Sequence, residues 1–109
     1  MSVIYAINAE VDPVDEATWD DWQTRHHMPD VLRQPGFLRG TKYKIDAPAD
    51  GWSQYLIMYE VASREALADY LQGEAVTRLR ADHYSRFGAS TRLSRSILTL
   101  TATVERPQT

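Results

Sequence analysis

Histidine is the residue type in this sequence that titrates closest to neutral pH, and it occurs at positions 26, 27 and 83. A positioned imidazole can act there as a general acid or a general base. His27 lies two residues before Pro29 and is the first catalytic candidate. The alternative is a histidine at a helix end that binds backbone carbonyls left free by the proline, which has no N–H group.

His83 is the second catalytic candidate and lies on an apolar helical stripe. The stripe consists of Val76, Leu79, His83 and Phe87, which are three or four residues apart. His83 is therefore either part of a pocket wall or a buried core histidine, and burial requires a hydrogen-bond partner. A tyrosine hydroxyl or a carboxylate across the pocket is the expected partner. If His27 and His83 face one cavity, one can serve as the base and the other as the acid.

A small-molecule pocket also needs apolar walls and a few polar groups that orient the ligand. Aromatic side chains, one methionine and one arginine are the substrate-binding candidates. They are Trp22, Tyr43, Met58, Tyr59 and Arg86. Arg80 and Arg86 are of the type that binds a carboxylate. Core packing is the alternative for the apolar residues, and solvation or ion pairing is the alternative for the arginines.

The sequence excludes several kinds of site. It contains no cysteine, which rules out disulfides, thiolate nucleophiles and cysteine-ligated zinc. It also has neither a serine nucleophile elbow nor a glycine-rich phosphate loop. A metal site would draw on His26, His27, Asp30, Asp82 and His83, whose spacing matches no metal-binding motif. We therefore expect no metal and no cofactor.

Charge and hydropathy restrict the partners and the location. The 109 residues carry a formal net charge of −3 and no basic stripe, which argues against a nucleic-acid partner. The N-terminal segment lacks the charged and apolar regions of a signal peptide. No apolar run reaches the ~20 residues that a membrane span requires. We expect a cytoplasmic protein whose ligand is a small molecule.

Alternating and helical apolar patterns predict four strands and three helical segments. Strands are predicted at residues 2–11, 37–46, 53–61 and 92–104, and helices at 12–33, 63–72 and 74–87. Asp12 is the expected cap of the first helix. Pro29 should kink or break that helix near His26 and His27. Asp50-Gly51 favours a turn between the second and third strands.

This order of elements predicts an α+β fold of the ferredoxin-like βαββαβ type. Residues 1–109 would form one domain, a four-stranded antiparallel sheet with the helices on one face. On the second strand, the side with Lys42 and Lys44 is expected to be solvated or near an edge of the sheet. The first and third strands carry apolar residues on both faces, so the face away from the helices also needs a cover. The simplest cover is the same face of a second copy, which predicts a homodimer.

Two motifs resemble those of a known superfamily. The pattern W-x-x-W-x-x-x-H-H-x-P at residues 19–29 resembles the helix-one signature of the dimeric α+β barrel superfamily. The pattern L-R-x-x-H-x-x-R-F-G at residues 79–88 resembles the second signature of a small branch of unknown function. The resemblance implies a dimeric α+β barrel over nearly the whole chain. It also implies a site for flat or hydrophobic molecules between helices and sheet, with His27 near its mouth.

The predicted function is cofactor-independent proton transfer on an aromatic or polyketide-like molecule, of the isomerase, cyclase, dehydratase or lyase type. His27 would be the base or the acid, and His83 with a strand tyrosine would support it. Because one fold can host many reactions, two alternatives stay open. One is a ligand-binding or stress-related dimer without catalysis, and the other is a protein that binds or uses haem.

Overall fold

The computed structural model describes residues 2–46 and 51–108. In chain order the elements are β1 Val3–Val11, α1 Glu16–Trp22, a π-helical segment Gln23–His27, α2 Met28–Leu32, β2 Phe37–Ile45, β3 Ser53–Val61, α3 Arg64–Gln72, α4 Glu74–Phe87 and β4 Thr91–Leu98. The turn predicted at Asp50-Gly51 lies partly outside the described residues. No helix within these ranges is long and apolar enough to cross a membrane.

The four strands form an antiparallel sheet in the order β2-β3-β1-β4. In β1, alternate side chains point towards the helices and are buried, because the apolar residues repeat with the period of a strand. These side chains are Val3, Tyr5, Ile7, Ala9 and Val11. They pack against α1, α2, α3 and α4 in a common core. The predicted ferredoxin-like βαββαβ plan is confirmed.

A π-helical segment widens the first helix between α1 and α2. The N–H group of Met28 donates to the carbonyl of Gln23, five residues earlier, whereas an α-helix would use the residue four positions earlier. Pro29 accounts for the widening, because its ring has no N–H group and crowds the preceding turn. The irregularity predicted near His26 and His27 is therefore confirmed, and it takes the form of a wider turn.

Two predicted boundaries are wrong. The first helix begins at Glu16, and Asp12 accepts a 3.1 Å hydrogen bond from the N–H group of Val14 in the preceding turn. β4 is shorter than predicted and ends at Leu98. Leu98 pairs with Ile4 at the beginning of β1, so the residues that follow it have no strand of the described chain beside them.

A bulge near the start of β2 changes which side chains face the helices. Phe37 lies on the helix side, and beyond the bulge Lys42 and Lys44 lie there as well. The ammonium group of Lys42 donates a 2.6 Å hydrogen bond to the hydroxyl of Thr24. Lys44 pairs with Glu16 at 2.9 Å. The prediction for this side is therefore confirmed in part: β2 is an edge strand and Lys44 is exposed, whereas Lys42 is largely covered.

The face of the sheet away from the helices is apolar at its centre. Its side chains are Ile4, Ala6, Tyr43, Leu56 and Met58, which lie beside one another across three strands. Tyr43 keeps 53% of its surface exposed, although it is a large aromatic residue. β1 and β3 are thus apolar on both faces, as predicted, and no described helix packs on the second one.

Candidate active site

A small cavity lies between the helices and the inner face of the sheet. Its volume is about 40 Å³, which is enough for ordered water but smaller than the ~150 Å³ that receives a benzene ring. The polar part of its lining consists of Tyr5, Gln23, His27, Tyr59, Tyr70, Arg80, His83 and Arg95. The remaining walls are apolar side chains of β1, β3, α2, α4 and β4.

The π-helical segment supplies two of these polar groups, Gln23 and His27. Gln23 is only 3% exposed, and its Oε1 atom has no hydrogen-bond partner in the described part of the chain. Sequence reasoning missed Gln23 as a site residue. The available signal was its position four residues after Trp19, which puts a glutamine on the buried stripe of the helix.

His27 lies against the indole ring of Trp22, with the ring centroids 5.0 Å apart. Burial lowers the pKa of His27, and the more distant carboxylates of Asp82 and Asp30 oppose this only in part. Its Nδ1 atom is buried and has no partner among the described residues. A bond from this nitrogen to a carbonyl freed by Pro29, the structural alternative for His27, is therefore not formed.

His83 is buried in α4, and the indole N–H group of Trp19 donates a 3.1 Å hydrogen bond to its Nε2 atom. An imidazole that accepts at Nε2 carries its proton on Nδ1. Burial, with smaller contributions from His27 and Arg95, lowers the pKa of His83 to about 4. His83 is thus both buried and part of the pocket wall, and its hydrogen-bond partner is the fully buried Trp19 instead of the expected tyrosine or carboxylate.

The fold brings the two catalytic candidates together. The ring centroids of His27 and His83 are 5.8 Å apart, and both rings line the cavity. Trp22 packs on both from behind, at 5.0 Å and 5.8 Å, and is not part of the cavity lining. The two histidines come from helices far apart in the sequence, so their meeting depends on the tertiary fold.

Tyr59 lines the cavity, as expected, together with Tyr5 and Tyr70. The rings of Tyr5 and Tyr59 are stacked at 6.4 Å. Burial raises the pKa of Tyr70 to about 12 and raises the pKa of Tyr59 further. Both tyrosines therefore remain neutral phenols that can donate a hydrogen bond to a carbonyl or phenol oxygen.

Three other substrate-binding candidates lie elsewhere. Tyr43 and Met58 are on the outer face of the sheet, because the bulge in β2 and the alternation of β3 turn them away from the helices. Arg86 lies over the ring of Trp22 at 5.4 Å and pairs with Asp82 at 3.1 Å, outside the cavity. The prediction that Tyr43 and Met58 line this pocket is wrong.

Metal ligation finds no support in residues 2–46 and 51–108. No group of three or more His, Asp or Glu side chains converges there in a way that could hold an ion. His26 is exposed to solvent, whereas the neighbouring His27 lines the cavity. The polar groups of the cavity are thus two imidazoles, an amide, phenols and guanidinium groups, a set suited to proton transfer and hydrogen bonding.

The sequence matches one protein family, the domain of unknown function DUF4286, over residues 2–101. The chain belongs to this family. The name of this family gives neither a reaction nor a ligand. No functionally curated protein matches the chain.

Solved structures of low sequence identity share the fold of this DUF4286 chain. SnoaB of Streptomyces nogalater, a cofactor-independent oxygenase, has a TM-score of 0.71 at 17% identity, covering 96% of this chain and 98% of that one. HapK of Hahella chejuensis has a TM-score of 0.68 at 11% identity, and the match covers 98% of this chain and 99% of that one. An ethyl tert-butyl ether (EthD) family protein of Bacillus halodurans has a TM-score of 0.66 at 18% identity, and the match covers 91% of this chain and 99% of that one. At these identities the likeness establishes the fold alone.

Proposed function

We propose that this chain is a small-molecule enzyme that transfers protons without a resident cofactor, with His27 as its general base. The observation that carries the proposal is the pair of His27 and His83 at one cavity, with ring centroids 5.8 Å apart. Burial lowers the pKa of both, so both imidazoles are neutral near pH ~7. A neutral imidazole beside a cavity is the form that accepts a proton.

The proposed reaction moves one proton in two stages. His27 takes a proton from a carbon next to a carbonyl group, and the C–H electron pair moves to the carbonyl oxygen as an enolate. The Nδ1–H group of His83 is the donor available to that oxygen, because its Nε2 atom is already bonded to Trp19. The imidazolium of His27 then gives the proton to the γ-carbon when the substrate is a β,γ-unsaturated ketone, which yields the conjugated isomer. When the β-carbon carries a hydroxyl group, the imidazolium protonates it as the carbon–oxygen bond breaks, which yields an α,β-unsaturated carbonyl compound and water.

The walls of the cavity support an aromatic or polyketide-like substrate. Tyr5, Tyr59 and Tyr70 offer aromatic faces for stacking and neutral hydroxyls that can orient a carbonyl. The cavity of about 40 Å³ has to widen before a ring enters, since ~150 Å³ receives benzene.

Cofactor-independent oxygenation is the second candidate, and the likeness to the oxygenase SnoaB favours it. It shares the first stage, removal of a proton by His27, but the carbanion then reacts with dioxygen as a co-substrate. The two candidates differ in the product. An isomerase product keeps the formula of the substrate, whereas an oxygenase product gains mass from labelled dioxygen, which mass spectrometry detects.

The other hypotheses have less support. A ligand-binding dimer without catalysis would use the same cavity, and His83 with its bond from Trp19 fits a structural role. A dimer without catalysis, however, gives no reason for the buried Nδ1 atom of His27 that lacks a partner among the described residues. Haem would require a much larger widening than a single aromatic ring, because typical cofactor pockets measure ~300–1,000 Å³ and the cavity measures about 40 Å³.

The proposal includes a homodimer formed through the outer face of the sheet. The apolar side chains at the centre of that face support it, because large apolar patches of soluble proteins are usually covered by a partner. A second copy presents the same face, so a two-fold axis would bury both faces at once.

The test is deuterium exchange into a panel of aromatic ketones that includes 2-tetralone, followed by NMR in heavy water. We expect the wild type to accelerate exchange, and His27→Gln to reduce the enzymatic rate by ~10²–10⁴-fold, the usual contribution of a general base. His26→Gln is the matched control, since the neighbouring imidazole is exposed and should leave the rate unchanged. Equal rates for His27→Gln and wild type would remove His27 from the mechanism.

A further inference from the structure

A wider space adjoins the cavity between α4 and β4. Its volume is about 270 Å³. Arg80, His83, Leu93 and Arg95 border both this space and the cavity. We call the wider space the mouth, because a molecule that fills it lies directly in front of His83.

Two positive charges lie at the mouth. Arg80 extends from α4, and its guanidinium donates a 3.0 Å hydrogen bond to the hydroxyl of Tyr5. Arg95 extends from β4 on the helix side of the sheet, where it is opposite Ile7. Neither arginine forms an ion pair with a residue that the structure describes. Both guanidinium groups therefore retain N–H donors for a molecule in the mouth.

Elsewhere in the described chain, five arginines are paired with a carboxylate, whereas Arg64, Arg78 and Arg106 are not. Those with a carboxylate partner are Arg25, Arg33, Arg39, Arg86 and Arg92. Acidic residues outnumber basic ones, 15 to 12, so carboxylates are not scarce. Arg80 and Arg95 differ from the other unpaired arginines because both border one space beside His83, and two unpaired positive charges at one space point to an anion from outside.

The surroundings of the mouth do not neutralise this charge. Asp30 and Asp82, the carboxylates that act on the two histidines, are paired with Arg33 and Arg86. Deeper in the cavity, Gln23 is 3% exposed and its Oε1 atom lacks a described partner. The site therefore combines a positive mouth with a polar interior that still has a free hydrogen-bond acceptor.

We infer that the substrate carries a carboxylate, which Arg80 and Arg95 bind at the mouth while the rest of the molecule reaches His27 and His83. This inference rests on the proposed function of the site. A guanidinium group offers two parallel N–H donors that match the two oxygens of a carboxylate. Anchoring the carboxylate at the mouth fixes the distance of the reacting carbon from the imidazoles, which is how binding far from the reaction aids the proton transfer.

The experiment compares an acid with its neutral amide, 2-naphthoate and 2-naphthamide, by isothermal titration calorimetry. We expect the wild type to bind the acid ~10-fold or more tightly than the amide. A hydrogen bond to a charged group typically strengthens binding by about ten-fold. Arg95→Gln should weaken binding of the acid by ~10-fold and leave the amide unchanged. Arg95 makes no hydrogen bond or ion pair to a described residue, so this variant keeps the fold.

Arg78→Gln is the matched control, because the substitution removes the same charge from the same helix as Arg80. Arg78 is exposed on α4 and borders neither the cavity nor the mouth. It should bind both compounds like the wild type. Arg80→Gln should repeat the effect of Arg95→Gln. Equal affinity for acid and amide, no binding of the acid, or undiminished binding of the acid to the double variant of Arg80 and Arg95 would overturn the inference. Tighter binding of inorganic phosphate than of the acid at these arginines would also overturn it.

The outcome can be separated from that of the proposed function. Binding of 2-naphthoate is measured at equilibrium and should be preserved in His27→Gln. If the arginines bind the acid but ketone exchange is the same with and without His27, the anion site stands and the proposed reaction fails. If exchange depends on His27 but acid binding ignores both arginines, only the carboxylate inference fails.

Discussion

The neutral state of His83 links the candidate site to the stability of the fold. Its folded pKa is about 4 because of burial, with smaller effects of His27 and Arg95. In the unfolded chain an imidazole titrates near pH ~6.5. Between these two values the unfolded chain binds a proton that the folded chain does not bind. Stability is therefore complete above pH ~6.5 and decreases as the pH falls towards about 4.

We predict that His83→Gln reduces this pH dependence. For the wild type, His83 alone should lower the free energy of unfolding by about 2 kcal/mol between pH ~7 and pH ~5. Glutamine does not titrate and can still accept the N–H group of Trp19. Urea denaturation at both pH values measures the difference. His26→Gln, with an exposed imidazole, should behave like the wild type. An equal loss in His83→Gln and wild type would show that His83 is not held neutral.

The catalytic candidates could be predicted from the sequence, but their surroundings could not. Pro29, two residues later in the chain, indicates His27, and the spacing of the apolar helical stripe indicates His83. The bond from Trp19 to His83 depends on how two distant helices pack. The position of Arg95 at the mouth depends on the register of β4 against β1. Such contacts join residues far apart in the chain, and local patterns carry no information on them.

At the scale of elements, Glu16 joins the first turn of α1 to the sheet. Its carboxylate accepts 2.6 Å hydrogen bonds from the hydroxyls of Ser53 and Tyr55 and pairs with Lys44 at 2.9 Å. These donors, that of Ser53 foremost, lower the pKa of Glu16 to about 2. Because α1 continues into the segment with His27, Glu16 helps to fix the helix that carries the proposed base.

We predict that Glu16→Gln lowers the free energy of unfolding by about 2 kcal/mol near neutral pH, because charged hydrogen bonds become neutral ones. The stabilisation by Glu16 is complete above the unfolded pKa of 4.5 and is lost as the pH falls towards about 2. The gap between variant and wild type should therefore shrink in acid. Glu65→Gln is the control, since Glu65 lies exposed in the first turn of α3. Equal destabilisation by both substitutions would contradict the prediction.

Local signals predicted the order of the elements, whereas their ends and faces depended on neighbours. Ser63 is a residue type that caps helices, and its hydroxyl accepts a 3.1 Å hydrogen bond from the N–H group of Ala66 at the start of α3. The irregular turn near His26 and His27 is likewise predicted by a single residue, Pro29. By contrast, β4 ends where β1 begins, and the bulge in β2 exists only against β3. Tyr43 was placed wrongly for that reason.

At the scale of the whole molecule, the sheet separates two different environments. Its inner face closes the cavity with the two histidines. Its outer face presents Ile4, Leu56 and Met58, which are only partly covered by their neighbours. Pairing of two outer faces would leave both cavities and both mouths open to solvent, because they lie on the helix side of each sheet. Dimerisation and substrate entry are thus compatible.

We predict that the wild type is a dimer and that Met58→Asp dissociates it, because a carboxylate at the centre of an apolar interface would be buried without a partner. Light scattering coupled to gel filtration gives the mass of each. Val14→Asp is the control, since Val14 is 81% exposed in the turn before α1, away from this face. It should remain dimeric. A monomeric wild type, or a Met58→Asp variant that stays dimeric at low concentration, would refute assembly through the outer face. The monomer should still bind 2-naphthoate, because Arg80 and Arg95 belong to one chain.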